Sequence, residues 1–278
     1  MSLQLHFEVT GACSARCSFC IYDSEENRKL PKRPMPMPLF QKIIDEAATI
    51  PQINEVAFAG LAEPLMDPHL IERISYTSAA RADWRLEMYT NGFALTPEKF
   101  EALKAAGLDV LVISLNAVSA EQHERIMGVK GKFDIVCSHI DYAIAHKGDM
   151  AHIDARAVVT GDTFTVADAG VFLRRWGVTH LGGYGKLISE RNWAGENRTV
   201  VPFDPNSCCK RALEQISVHR DGRVNRCCYD PLSKYSFGDL KTQTIREIYN
   251  SKKYVDFRIM HNENRVGEDA FCAGCSRV

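Results

Sequence analysis

Leucine, phenylalanine and valine occupy every second position of Leu3–Thr10, the period of a half-buried strand. Over Leu39–Ile50 the apolar positions shift to helical spacing, with Pro38 at a natural helix start. The two patterns then alternate. Glu55–Ala59 reads as a strand, Pro68–Ala80 as a helix, and Arg85–Thr90 as a strand leading into an Asn91-Gly92 turn. Thr96–Ala106 opens with Thr-Pro-Glu and stops at Gly107, a capped helix with a glycine exit. Asp109–Leu115 is a strongly apolar strand, followed by helical patterns in Ala120–Met127 and Phe133–His146. A strand at His152–Thr160, a helix at Thr165–Trp176 and a strand at Val178–Tyr184 complete the alternation.

About six β/α units imply a parallel sheet with right-handed crossovers, fewer than the eight of a closed barrel. No G-x-G-x-x-G follows the first strand, so a dinucleotide site is not supported. The expected fold is α/β, a partial (β/α)6 barrel over residues 1–190. From about Ser189 the pattern changes, and residues 191–278 are expected to form a small α+β domain. Val200–Asn206 is irregular, and Gln215–His219 and Val224–Cys227 flank an Asp221-Gly222 turn as a hairpin. Thr244–Asn250 and Tyr254–Met260 read as short helices.

The 278 residues include 45% hydrophobic and 25% charged positions, with a formal net charge of −1. That balance suits a globular core and gives no support to a nucleic-acid surface. No apolar run approaches ~20 residues, so no membrane span is expected. The opening residues lack a signal-peptide pattern, so the expected location is the cytoplasm. In that reducing compartment ten cysteines point to metal or chemistry rather than disulfides. Their distribution suggests two centres: Cys13, Cys17 and Cys20 near the start, six after residue 207, and Cys137 alone on an apolar helix face, where it reads as core.

Cys13, Cys17 and Cys20 form C-x-x-x-C-x-x-C just after the first predicted strand. Three thiolates fill neither a structural zinc site nor all four irons of a [4Fe–4S] cube. They suggest a cluster with one open iron, against the alternative of a zinc knuckle short of a ligand or three core thiols. Farther on, Cys209, Cys227, Cys272 and Cys275 supply four thiolates, which by ligand count alone fit zinc or a closed cluster. Cys208 and Cys228 each adjoin one of these, and adjacent cysteines do not readily bind one iron.

With Phe19 before the last cysteine, the first motif resembles the signature of the radical S-adenosylmethionine (SAM) superfamily, C-x-x-x-C-x-aromatic-C. Ala59-Gly60-Leu61-Ala62-Glu63-Pro64 stands where that family carries G-G-E-P, with Leu61-Ala62 departing from the glycine pair. Tyr89-Thr90-Asn91-Gly92 and Ser114-Leu115-Asn116 end later strands, where barrel sites are built. The resemblance implies SAM at the open iron and a 5′-deoxyadenosyl radical that abstracts a hydrogen atom. It also implies that Tyr22, Glu63, Asn91, Ser114 and Asn116 bind this cofactor, Glu63 through its ammonium group. A solvated glutamate is the plain alternative for Glu63, and a simple turn the alternative for Asn91-Gly92.

The distal cysteines, with Asp221-Gly222-x-Val224 and Phe237-Gly238-Asp239-Leu240, are similar to the twitch or SPASM extension of that superfamily. This implies one auxiliary [4Fe–4S] cluster on Cys209, Cys227, Cys272 and Cys275, with Cys209 preferred to Cys208. The layout is similar to that of the radical dehydrogenases acting on 2-deoxy-scyllo-inosamine. It implies oxidation of an alcohol or amine carbon, with the auxiliary cluster taking an electron from the substrate radical. Cys228 is the candidate catalytic thiol, returning a hydrogen atom in an epimerase; a small buried hydrophobe is its plain reading. A peptide-modifying maturase and a non-enzymatic iron–sulfur or zinc sensor are the further alternatives. The expected partners are a small polar molecule or short peptide and a flavodoxin- or ferredoxin-type reductant, with no nucleic acid or membrane. With no added N-terminal domain expected, an aminosugar or cyclitol is favoured over a peptide. Tyr184, Lys186 and Glu190, at the end of the sixth predicted strand, are candidate substrate contacts, and Trp193 a candidate pocket wall. The histidines show no paired metal-ligand spacing, and Trp84 and Trp176 read as core.

Overall fold

Alternation along the first strand divides its side chains between two environments. Leu3, Leu5 and Phe7 of β1 (Leu3–Phe7) are buried in the main apolar core, while Gln4 and His6 line a cavity on the opposite face. The computed structural model describes residues 2–159, 163–177, 185–189, 209–273 and 275. After β1 come α1 (Glu25–Lys29), α2 (Met37–Ala48), β2 (Ile53–Phe58), α3 (Leu70–Ala80), β3 (Arg85–Thr90) and α4 (Pro97–Ala105). They are followed by β4 (Val110–Ser114), α5 (Ala120–Met127), α6 (Phe133–Ala145), β5 (His152–Val159), α7 (Val166–Trp176) and β6 (Gly185–Ser189). Strands β1 to β6 pair in parallel in chain order, the expected partial (β/α)6 barrel.

Helix α2 buries Phe40, Ile43, Ile44 and Ala47, and Phe40 meets Phe7 at 5.1 Å between ring centroids. Helix α4 is capped as predicted, Thr96 accepting from the Lys99 amide. Cys137 lies in the core, as do Trp84 and Trp176. His123 is fully buried between Phe93 and Phe133, and its packing is structural.

The chain continues through α8 (Lys210–Glu214), β7 (Gln215–Val218), β8 (Arg223–Asn225), β9 (Ser236–Asp239), α9 (Ile245–Tyr249), α10 (Lys252–Asn262) and α11 (Ala270–Ala273). The predicted hairpin is β7–β8. Strand β7 also pairs in parallel with β1, Gln4 against Gln215 and Phe7 against Val218, so one nine-stranded sheet runs β6-β5-β4-β3-β2-β1-β7-β8-β9.

One strand of the sheet lies outside the predicted spans. The strand beside β5 is Gly185–Ser189, whereas the predicted Val178–Tyr184 lies outside the described residues. Leu187 and Ile188 align with Ala157 and Val158. Lys186 is therefore the second residue of β6, opposite Arg156, and not beyond the strand's C-terminal end. Among the described residues no helix is long and apolar enough to cross a membrane.

Candidate functional site

The loop after β1 brings Cys13, Cys17 and Cys20 to the wall of a cavity of about 830 Å³ that occupies the barrel interior. Hydrogen bonds from other groups shape this loop. The Tyr22 hydroxyl accepts from the Cys13 amide at 2.8 Å and donates to the Gly11 carbonyl at 3.0 Å, closing the loop from within. The Arg16 and Ser18 amides donate to Met127 and Ile126 carbonyls at 2.9 and 2.8 Å, fastening the loop to the end of α5. Asn91 donates from Nδ2 to Ser14 Oγ at 3.1 Å. Burial pushes the thiols up, Cys13 to about 11 and Cys20 to about 12. Cluster loading must therefore displace thiol protons.

Glu63 is buried rather than solvated. Its Oε1 accepts from the Leu65 amide at 3.0 Å and Thr90 Oγ1 at 2.7 Å, and its Oε2 accepts from the Asn91 amide at 2.6 Å. Burial raises its pKa and these three donors oppose the rise. The carboxylate thus joins the loops after β2 and β3 at the cavity wall. A Glu63→Gln variant must turn an amide N–H toward one of those donors. We expect it to lose about 1–3 kcal/mol of stability, measured by urea denaturation, together with affinity for SAM.

Asn116 has φ of 57°, a left-handed conformation that asparagine tolerates. Its Oδ1 accepts from the Val158 amide at 2.9 Å, locking the ends of β4 and β5 together. Ser114, at the end of β4, lines the same cavity.

Cys209, Cys227, Cys272 and Cys275 line a second, small cavity together with Phe257 and Phe271. The Cys272 amide donates to Asp269 Oδ1 at 3.0 Å, and Asp269 pairs in turn with Arg226. Burial drives the Cys227 and Cys272 thiols well above their ordinary range. A zinc site would draw its sulfurs to within about 3.8 Å of one another. Among the described residues no three His, Cys, Asp or Glu side chains are gathered tightly enough for a single ion. Four thiols lining one cavity match the ligand count of a closed iron–sulfur cluster. Cys228 lines the large cavity and its neighbour Cys227 the small one; Cys209, Arg211 and Tyr229 line both. Cys208, Tyr184, Glu190 and Trp193 lie outside the described residues.

The large cavity has a polar wall that the sequence reading missed. Gln4, His6, Glu55, Tyr89, Arg156 and Gln215 line it. The Arg156 guanidinium sits 5.0 Å from the Tyr89 ring centre and pairs with Asp154 at 3.3 Å. Tyr89 donates to Glu87 Oε1 at 2.9 Å, and Gln215 Nε2 donates to Gln4 Oε1 at 2.8 Å. The available signal was polar side chains at alternate positions of otherwise apolar strands, as at Asp154 and Arg156.

The pattern of the Radical SAM superfamily matches residues 7–164, and that of SPASM, an iron–sulfur cluster-binding domain, matches residues 208–276. A tungsten-containing aldehyde ferredoxin oxidoreductase cofactor-modifying protein of Pyrococcus furiosus is 27% identical, over 92% of this chain and 83% of its own. The S-adenosyl-L-methionine-dependent 2-deoxy-scyllo-inosamine dehydrogenase of Niallia circulans is 22% identical, over 99% of this chain and 92% of its own. Among solved structures, BtrN in complex with AdoMet and 2-DOIA superposes with a TM-score of 0.71 at 19% identity, covering 100% of this chain and 94% of that one. Native anSMEcpe with bound AdoMet gives a TM-score of 0.71 at 14% identity, covering 94% and 84%. At such identities the structural likeness speaks for the fold.

Proposed function

The chain belongs to the radical SAM superfamily, and from that premise we propose that it is a dehydrogenase, oxidising an alcohol or amine carbon of a small polar molecule such as an aminosugar or cyclitol. Its cofactors are SAM, a [4Fe–4S] cluster and an auxiliary iron–sulfur cluster. Cys13, Cys17 and Cys20 would hold the first cluster, and Cys209, Cys227, Cys272 and Cys275 the auxiliary one. Bound there, these groups supply a carbon radical that takes a hydrogen atom and a nearby acceptor for one electron.

The observation that carries the reading is the wall shared by the two cavities, where Cys209, Arg211 and Tyr229 face both. A substrate in the barrel would lie against the auxiliary set, separated by single side chains. The similarity to the dehydrogenase of Niallia circulans along nearly the whole chain supports the same reading. Glu63 keeps an acceptor position on Oε2, beyond its bond to Asn91, for the ammonium of SAM. Tyr22, Asn91, Ser114 and Asn116 shape the rest of that subsite. Arg156, Gln4 and Gln215 offer donors and acceptors to hydroxyl and amino groups, and His6 or Glu55 takes the proton released on oxidation. Lys186, Tyr184 and Glu190 remain further candidates.

The test is anaerobic turnover in deuterated water with 2-deoxy-scyllo-inosamine and a panel of aminosugars, using flavodoxin as reductant. We expect product two hydrogens lighter than substrate, unlabelled at carbon, with one 5′-deoxyadenosine per product. Because Cys228 lines the large cavity, epimerisation is the second reading, the thiol returning a hydrogen atom to the substrate radical. Solvent deuterium at a product stereocentre, lost in Cys228→Ala, would move the assignment there.

A further inference from the structure

Arg220 lies in the part of the chain matched by the SPASM pattern, yet its contacts are with the loops of the triad. The pairing of β7 with β1 puts it there. Phe7 stands opposite Val218, and the Glu8 amide donates to the Val218 carbonyl at 2.9 Å, so His219 and Arg220 leave β7 level with Glu8 leaving β1. Arg220 Nη1 donates to Glu8 Oε2 at 3.0 Å, and its Nε donates to the Pro31 carbonyl at 3.0 Å. Glu8 precedes the triad loop and Pro31 follows it. Between them, a Cβ on Gly11 would fall 2.5 Å from Arg220 Nε, so the guanidinium packs directly on the loop's own backbone.

The same contact reaches the next loop. A Cβ on Gly60 would stand 2.7 Å from Glu8 Cγ, so the turn that leads to Glu63 rests on the Glu8 side chain. His219 completes the cluster. Its Nε2 lies 2.9 Å from Arg220 Nη1 and 3.3 Å from Glu8 Oε2, and its Nδ1 lies 2.7 Å from Asp221 Oδ1. Glu8, His219 and Arg220 are 7%, 2% and 5% exposed. Burying such a pair gives little net stability but fixes one geometry, because any displacement strands a charge without water.

We propose that Arg220 is a positioning residue for the SAM site, through which the SPASM region sets the triad loop and the Gly60–Glu63 turn in register. This role does not depend on the auxiliary cluster, whose cavity Arg220 does not line, nor on whether the reaction is oxidation or epimerisation. Small misplacements of such loops carry large penalties.

The test uses the full chain, anaerobically reconstituted. In Arg220→Met the dissociation constant for SAM should rise about tenfold or more. At a SAM concentration about ten times the wild-type dissociation constant, the change that SAM induces in the electron paramagnetic resonance of the reduced triad cluster should fall to about half its wild-type size or less. In a Cys13→Ala, Cys17→Ala, Cys20→Ala background the auxiliary signal should keep its g-values and spin count. Arg220→Lys, which retains the charge facing Glu8, should recover part of the affinity. Wild-type SAM affinity in Arg220→Met overturns the proposal, and so does equal loss of the auxiliary signal, which would mark a general scaffold role. If Arg220→Met does not fold, Glu8→Gln decides: a weaker SAM complex supports the proposal and an unchanged one overturns it.

Discussion

Replacing Cys17 with alanine is expected to abolish SAM cleavage and to halve bound iron, from about eight to about four atoms per chain. The effect should be this large because the triad has no spare ligand. Ser14 and Ser18 stand in the same loop and Asn91 and Glu63 beside it, and a hydroxyl, an amide or a carboxylate already held by three donors does not replace a thiolate on iron. The protein should nonetheless fold, since the loop's shape rests on Tyr22, on the amides of Arg16 and Ser18, and on Asn91. Iron analysis, electron paramagnetic resonance and quantification of 5′-deoxyadenosine check the three parts separately. Four remaining irons with the auxiliary signal intact would locate the loss at the triad. Retained cleavage would remove Cys17 from the ligand set.

Asp67→Ala is expected to cost about 3–5 kcal/mol of folding stability, a large fraction of the 5–15 kcal/mol or so typical of a domain. Arg73 is completely buried, 4.9 Å from the Phe40 ring centre, with its Nε donating to Asp67 Oδ2 at 2.7 Å. Its Nη2 reaches the Met35 carbonyl, and Asp67 Oδ1 caps the His69 amide at 3.0 Å. Removing the carboxylate leaves a guanidinium in an aromatic core without a counter-charge. The double variant Asp67→Ala, Arg73→Met should recover most of the loss, because methionine fills the space without a charge to desolvate. Urea denaturation of the three variants measures this. A single-variant loss below about 1 kcal/mol would show that the pair behaves as if exposed.

Strand and helix periods were readable because each element packs against a continuous core, so burial imposes its period on the residues. Hence β1 to β5 and most helices fall close to the predicted spans. Strand β6 was not among the predicted spans, because Gly185–Ser189 is a short segment without a clear period and its pairing with β5 is a tertiary relation. The cysteine sets were legible because thiolate chemistry restricts number and spacing. The lumen residues Gln4, His6 and Arg156 were not singled out, because a polar side chain at alternate strand positions looks the same whether it faces bulk water or an enclosed cavity.

By itself, then, the sequence determined the alternating elements and the gathering of cysteines toward the two ends of the chain, since periodicity and spacing are local properties, while Glu63, Asn91, Ser114 and Asn116 were candidates through the resemblance to the radical SAM motifs. Tertiary structure decided that β7 extends the barrel sheet beside β1, that Cys227 and Cys228 face different cavities, and that Arg220 lies against the triad loop. The first and last of those relations join residues some 200 positions apart. They follow from register between strands and from the sharing of buried volume, quantities that exist only once the chain has closed on itself.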